Sequence, residues 1–323
     1  TRGVSPQFRS RAVCCILSTM IAKHTNRGLT WVDVESPTQE EIRDLAKEYD
    51  LNTLVAHELS SPSVKPKVDL YKDFVYLILH FPRFRRDRTS EQSQEIDFVV
   101  GKKFLITVRY SGNDVLDIFS RLFEASAVLG KGDFGAHGGF VFSRMIERLY
   151  ESVLNELSVG SDSMRSIEQK IFDGKERQMV VALSKLSRNL LETKRSLALH
   201  RDVLESFVVA GRMLFGETFA FQLQTLIGSY SRVGNALDSN LALLAELRET
   251  NNSLLDTKET ETMRIITVIA FLTLPASVIT NFFQMSTVHT PLVGGSFDWV
   301  IIVSFTLLGT AFLFLLAKRK QWF

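Results

Sequence analysis

Thr262–Ser286 reads TMRIITVIAFLTLPASVITNFFQMS, and this stretch decides the fold. Ile265 to Phe283 carries no charged residue, and neither does the later run from Trp299 to Ala317. Each run is about 19 residues, and at about 1.5 Å per residue each can cross a hydrocarbon core of about 30 Å. Pro291, Gly294 and Gly295 lie between them, which fits two antiparallel spans joined outside a bilayer. The competing reading, a buried core hairpin of a soluble protein, fits charge-free runs of this length poorly. The expectation is a C-terminal two-helix transmembrane hairpin. Its first helix covers 263–285, its external loop 286–297, its second helix 298–318 and its tail 319–323.

Lys318, Arg319 and Lys320 close the second span and Arg264 precedes the first, whereas Gln284 to Phe297 contains no Lys or Arg. The positive-inside rule then places both ends of the hairpin, and both termini, on the cytoplasmic side of an inner or plasma membrane. Trp299 and Trp322 fall near the ends of the second span, where interfacial aromatics concentrate. Everything before the hairpin is expected to be cytoplasmic, with no signal peptide needed.

Net charge is +2, from 38 Lys and Arg against 36 Asp and Glu, so no basic excess argues for nucleic acid. The two cysteines are the adjacent Cys14 and Cys15, which suit neither a disulfide nor a zinc site. The six histidines stand far apart, and the chain holds no Gly-x-Ser-x-Gly and no His-Glu-x-x-His. The Gly-rich segment GKGDFGAHGG at 130–139 lacks the spacing of a phosphate-binding loop. No catalytic residue, no enzyme activity and no cofactor are expected.

Residues 1–28 are basic, Ser-rich and free of Asp and Glu. They resemble a transit-peptide composition, and a disordered extension is the expected state. Order is expected from Leu29, in an α/β domain at 29–111. It opens with an alternating strand at Leu29–Val34, then a capping box of Ser36 and Glu40 starting a helix to Tyr49. A short helix at Leu54–Leu59 follows. Strands are expected at Lys67–Leu70, Phe74–His80, Glu95–Val100 and Phe104–Arg109, with a hairpin turn at Gly101-Lys102-Lys103. The charged loop between Pro82 and Gln94 reads as solvated. A helical region at 112–215 follows, with helices at Val115–Leu129, Phe140–Phe172 and Glu176–Val209.

A stalk helix is expected at 216–262. Phe219, Leu223, Leu226, Tyr230, Val233, Leu237, Leu241 and Leu244 recur every three or four residues and form its packing seam. Continued into the first span without a break, the helix is roughly 100 Å long. A second stripe descends it, through Glu249, Asn252, Asp256 and Glu259 to Met263, Ile266, Ala270, Leu274, Ser277 and Asn281. It passes from acidic, through apolar, to small or amide residues inside the span. Polar groups within a span face protein or water, so in a symmetric assembly this face can line a cation path with an acidic mouth. The other reading is that Ser277 and Asn281 only bond neighbouring helices.

From Leu29 onward the chain resembles the CorA family of divalent cation transporters. The matching pieces are TWVDVESPTQEEI, EIDFVVGKKFLITVR, the long terminal helix, MRIITVIAFLTLP and the closing KRKQWF. The resemblance implies an α+β cytoplasmic funnel domain with a long stalk helix, and a homopentamer whose first span lines the pore. It implies Mg²⁺ or another divalent cation as the transported or regulatory ion. The partners it implies are other copies of the chain and the lipid bilayer. The family usually carries Tyr-Gly-Met-Asn after the first span, where the Asn ring meets hydrated magnesium. Here the aligned residues are Phe283, Gln284, Met285 and Ser286, so the filter equivalents Gln284, Met285 and Ser286 depart from the pattern. Two functions stay open: transport of magnesium, zinc, cobalt or nickel, or a non-conducting membrane sensor or scaffold. Family carboxylates between neighbouring funnel domains hold a regulatory ion; Glu249, Asp256 and Glu259 are the candidates here, because they share the stalk face.

Overall fold

The computed structural model describes residues 20–63, 65–83, 93–129, 135–284 and 297–319. Two compact units result: Thr1–Lys170 with Val181–Leu247, and Ile171–Val180 with Arg248–Phe323.

The first unit is built on a six-stranded sheet of order β1-β2-β6-β5-β4-β3. β1 (Met20–Asn26) and β2 (Leu29–Glu35) form a hairpin closed by Arg27 and Gly28. Both turn residues have positive φ, 50° and 82°, the twist a two-residue hairpin requires. Residues 20–26, expected to belong to a disordered extension, are therefore a paired strand. This is an edge strand whose exposed Lys23 and Thr25 mask the alternation; His24 is its buried residue.

α1 (Gln39–Glu48) is opened by Thr38 and Glu41 rather than by Ser36 and Glu40. The Thr38 hydroxyl accepts from the Glu41 amide, and the Glu41 carboxylate accepts from the Thr38 amide at 2.8 Å. A capping box needs a three-residue spacing, which Thr38 and Glu41 have and Ser36 and Glu40 lack. α2 (Thr53–Glu58) is capped by Asn52, whose side chain accepts from the Leu54 amide.

β3 (Lys67–Leu70), β4 (Phe74–Pro82), β5 (Ser93–Gly101) and β6 (Phe104–Arg109) complete the sheet. β2 runs parallel to β6, and every other neighbouring pair is antiparallel. Strand alternation sends Val32, Val34, Tyr76, Ile78, Val99, Ile106 and Val108 to one face, where Ile42, Leu45, Val55 and Leu59 of α1 and α2 cover them. The opposite face carries Trp31, Phe81 and Phe98. Phe98 meets Phe142 edge-on at 5.1 Å and Trp31 meets Phe119 at 5.4 Å, which seats α3 (Asp114–Leu129) and α4 (Gly138–Phe172) there. Gly138 opens α4 because a Cβ there would come within 2.2 Å of the Phe104 carbonyl oxygen.

The helix expected at Glu176–Val209 is two helices, α5 (Glu176–Leu197) and α6 (His200–Phe215). The break precedes His200, whose buried ring bonds the His80 carbonyl of β4 through Nε2 at 2.8 Å and the Tyr150 hydroxyl through Nδ1 at 2.9 Å. α7 (Glu217–Gln284) is a single 68-residue helix, and α8 (Asp298–Arg319) follows it. The α7 seam holds at Phe219, Leu223, Leu226, Val233, Leu237 and Leu244. Between Leu237 and Leu244, however, the buried residue is Asn240, not Leu241. Its amide donates to the Leu157 carbonyl of α4 at 2.8 Å, a tertiary pairing that a hydrophobic pattern does not register.

Candidate conduction face

The second unit contains the lower half of α7, α8 and the α4–α5 turn. Val268, Phe271, Leu272, Pro275, Ala276 and Ile279 are half-buried and recur at helical spacing. Ile279 Cδ1 lies 3.7 Å from where a Cβ on Gly309 of α8 would stand, so this stripe is the side of α7 that packs on α8. The half-buried residues of α8, Ile302, Thr306, Gly309, Thr310 and Leu313, form the matching stripe.

Met263, Ile266, Ala270, Leu274, Ser277 and Asn281 are all exposed. Steps of three or four residues put them on one line along a helix of about 3.6 residues per turn, opposite the α8-facing stripe. The structure therefore groups these six predicted residues on one free face. It also shows where the span's hydroxyls go. Thr267 donates to the Met263 carbonyl at 2.7 Å, Ser277 to the Leu274 carbonyl at 2.8 Å and Thr280 to the Ala276 carbonyl at 2.7 Å. Such back-bonding satisfies each donor within its own helix, so Ser277 needs no hydroxyl acceptor on a neighbour. Its oxygen keeps a free lone pair. Pro275 has no N–H for the carbonyl four residues earlier, yet the helix continues through it.

Above the span, Glu249, Asn252, Asp256, Thr260 and Arg264 line an open concavity of ≈ 740 Å³. Two of the three candidate metal carboxylates, Glu249 and Asp256, share it; Glu259 is exposed outside it. Along the helix these acids are spread out, and among the described residues no three His, Cys, Asp or Glu side chains converge as a metal-binding group. Of the filter equivalents, Gln284 is the last residue of α7. Met285 and Ser286 lie outside the described residues, as do most of the expected loop at 286–297 and the last residues of the tail.

Sequence patterning missed an anchor on the side of α7 away from this concavity. Glu176, at the start of α5, is buried and accepts from the Lys258 ammonium at 2.8 Å. That hydrogen bond, and next the backbone N–H of Glu176, hold its carboxyl below the usual range. The two residues are too far apart in sequence for any local pattern to pair them.

An α/β unit whose last long helix runs on into a charge-free segment, followed by a second helix long and apolar enough to cross a membrane, fits a two-span membrane protein by length and composition. Residues 26–319 match the family model described as "CorA-like Mg2+ transporter protein", and the chain belongs to that family. It is a transporter-family protein, not an enzyme. The chain is 17% identical over 295 residues to the cobalt/magnesium transport protein CorA of Thermotoga maritima, covering 91% of this chain and 83% of that one. The solved CorA magnesium transporter of Methanocaldococcus jannaschii superposes with a TM-score of 0.81 at 17% identity, over 94% of this chain and 98% of that one. The full-length CmaX structure superposes with a TM-score of 0.71 at 19% identity, over 91% and 89%. At such identities the structural likenesses carry the fold.

Proposed function

We propose that this chain assembles as a homopentamer and carries divalent cations, magnesium foremost, through a pore lined by α7. The observation that carries the reading is the free stripe Met263–Asn281 on the side of α7 away from α8. In a ring with α8 outermost, that stripe converges on the axis. Met263, Ile266 and Leu274 then form an apolar neck that blocks ions by dewetting. Ser277 and Asn281 offer oxygens to the water shell of an ion that dehydrates reluctantly. Glu249, Asp256 and Glu259 supply an acidic mouth and the candidate regulatory ion sites, with ligands contributed by several copies.

The α/β unit and both ends of the hairpin belong on the cytoplasmic side in this reading, consistent with Arg264, Lys318 and Arg319. Cobalt is a competing cargo, since the relatives' names pair it with magnesium; zinc and nickel compete on the same chemistry. The second reading, a non-conducting sensor or scaffold, is favoured by the altered Phe283-Gln284-Met285-Ser286. The test is Mg²⁺, Co²⁺, Ni²⁺ and Zn²⁺ uptake into proteoliposomes, together with native mass of the solubilised protein. Pentamer mass with Mg²⁺ uptake above empty liposomes is expected. Pentamer without uptake of any cation selects the scaffold, and monomer alone sinks both.

A further inference from the structure

The α4–α5 turn hangs on α7 just short of the apolar span. Within the second unit, Ile171 and Met179 are buried, and the Glu176–Lys258 pair fixes the turn to α7 at 2.7 Å. Gly174 adopts φ 83° at the bend, and a Cβ there would stand 3.5 Å from Lys258 Nζ. Lys258 precedes Ile265, the first residue of the charge-free run, by two helical turns, about 10 Å. The outer side of the turn is Phe172, Asp173, Lys175 and Arg177, all exposed. Phe172 is 67% exposed, the wrong place for an aromatic ring facing only water. Among the described residues, neither Lys175 nor Arg177 has an ion-pair partner.

We propose that this turn docks on the headgroup layer of an anionic bilayer, with Phe172 at the interface and Lys175 and Arg177 on lipid phosphates. The inference rests on the reading of Ile265–Phe283 as a membrane span. Headgroup regions extend the roughly 30 Å core to about 40–45 Å in total. A turn fixed about 10 Å from the core boundary, with long basic side chains, comes within reach of that layer. The basic residues Lys318 and Arg319 end α8 on the same side of the hairpin. A basic side chain is drawn to an anionic surface, and an aromatic ring is at home where one side is apolar and the other wet. Acidic Asp173 opposes part of this attraction, so net gain requires both cations. Because Glu176 holds Lys258, lipid seated on the turn bears directly on α7 where it enters the membrane.

The test uses the full chain with Cys14→Ser and Cys15→Ser, and a bimane probe on Phe172→Cys. The protein is placed in nanodiscs of phosphatidylcholine alone or with an equal share of phosphatidylglycerol, each containing headgroup-spin-labelled lipid. At least twofold stronger quenching is expected in the anionic discs, and 0.5 M NaCl or Lys175→Glu with Arg177→Glu should remove the difference. Equal quenching in both disc types overturns the proposal, as does no quenching with the probe shielded from acrylamide, which means a second copy covers the turn. A bimane on Ile301→Cys of α8, read with acyl-chain spin labels, is the control. If Ile301 is unquenched the membrane-span reading falls and this inference with it; if Ile301 is quenched and position 172 is not, only the docking falls.

Discussion

Asp97 is fully buried between two tyrosines: Tyr76 and Tyr110 both donate to its Oδ2, at 3.2 and 3.1 Å, and its Oδ1 has no hydrogen-bond partner. Burial first, then the charge of Glu95, push its carboxyl well above the usual range, with the tyrosine bonds pulling the other way. The folded state therefore holds a proton that the unfolded chain releases near pH 3.9, and stability falls as pH rises through that window. His200 and His137 act oppositely. Burial lowers each to about 4, so the unfolded chain binds protons below about 6.5 that the fold excludes. Their contribution is complete above that pH and is lost as pH falls towards 4. Asp97→Asn keeps an acceptor for both tyrosines and removes the buried acid. Its melting temperature is expected above wild type at pH 7.5, by about 2–4 °C per kcal/mol recovered, with a steeper acid loss between pH 6.5 and 4. An unchanged pH profile in thermal melts would show that Asp97 is not protonated in the fold.

Arg109 is the counterweight on the other sheet face. Its guanidinium reaches Asp33 at 3.0 Å, Glu35 at 3.2 Å and Asp117 at 2.7 Å. Burial draws its pKa down, but Asp33, Glu35 and Asp117 outweigh that and hold it up. Removing one member of a buried pair typically costs about 3–5 kcal/mol. Arg109→Met strands the buried Asp33 beside two further acids and is expected to fall in that range by chemical denaturation. A loss below about 1 kcal/mol, the size of an exposed pair, would show that water reaches the site.

At the scale of elements, α7 was the most legible part of the chain, and the reason is physical. A charge-free run and a 3.6-residue stripe are properties of one helix, so Met263 to Asn281 emerge without knowledge of any neighbour. The strands Lys67–Leu70 and Phe104–Arg109 were legible for a similar reason, since β-branched and aromatic side chains suit a half-buried pleat. What escaped depends on distant partners. β1 is a strand because β2 offers it an edge; Asn240 is buried because its amide donates to the Leu157 carbonyl of α4; α5 breaks from α6 where His200 meets β4. Lys258 and Glu176 find each other only where the α4–α5 turn meets α7. The stripe itself makes a prediction. Met263 is its first apolar member below the acidic concavity, and a hydroxyl there would give water a foothold in the proposed neck. Met263→Ser is expected to raise cation leak several-fold in proteoliposomes. Unchanged flux in a conducting parent removes Met263 from the gate.

For the whole molecule, the question is what the free stripe of α7 faces. A bilayer tolerates Met263, Ile266 and Leu274, but it is a poor solvent for the Asn281 amide, which has no hydroxyl-type bond within its own helix to fall back on. The proposed ring of copies would turn Asn281 inward, with Glu249 and Asp256 along the same stripe of α7. The resemblance aligns Gln284 and Ser286 with a Gly and an Asn of the family's usual signature, which the proposed pore places at its outer entrance. Asn supplies a neutral carbonyl oxygen that suits an ion keeping its water, and glycine permits a backbone turn that a side chain hinders. Gln284→Gly with Ser286→Asn is therefore expected to increase Mg²⁺ uptake per assembled oligomer in proteoliposomes. Equal uptake means the entrance does not limit conduction, and the neck at Met263 becomes the controlling element. Reduced uptake with intact oligomer means the segment after Gln284 has adapted to its present residues and passes cations by a different entrance chemistry. If neither protein conducts while both remain assembled, restoring two entrance residues is insufficient to recover a path, and the scaffold reading takes precedence.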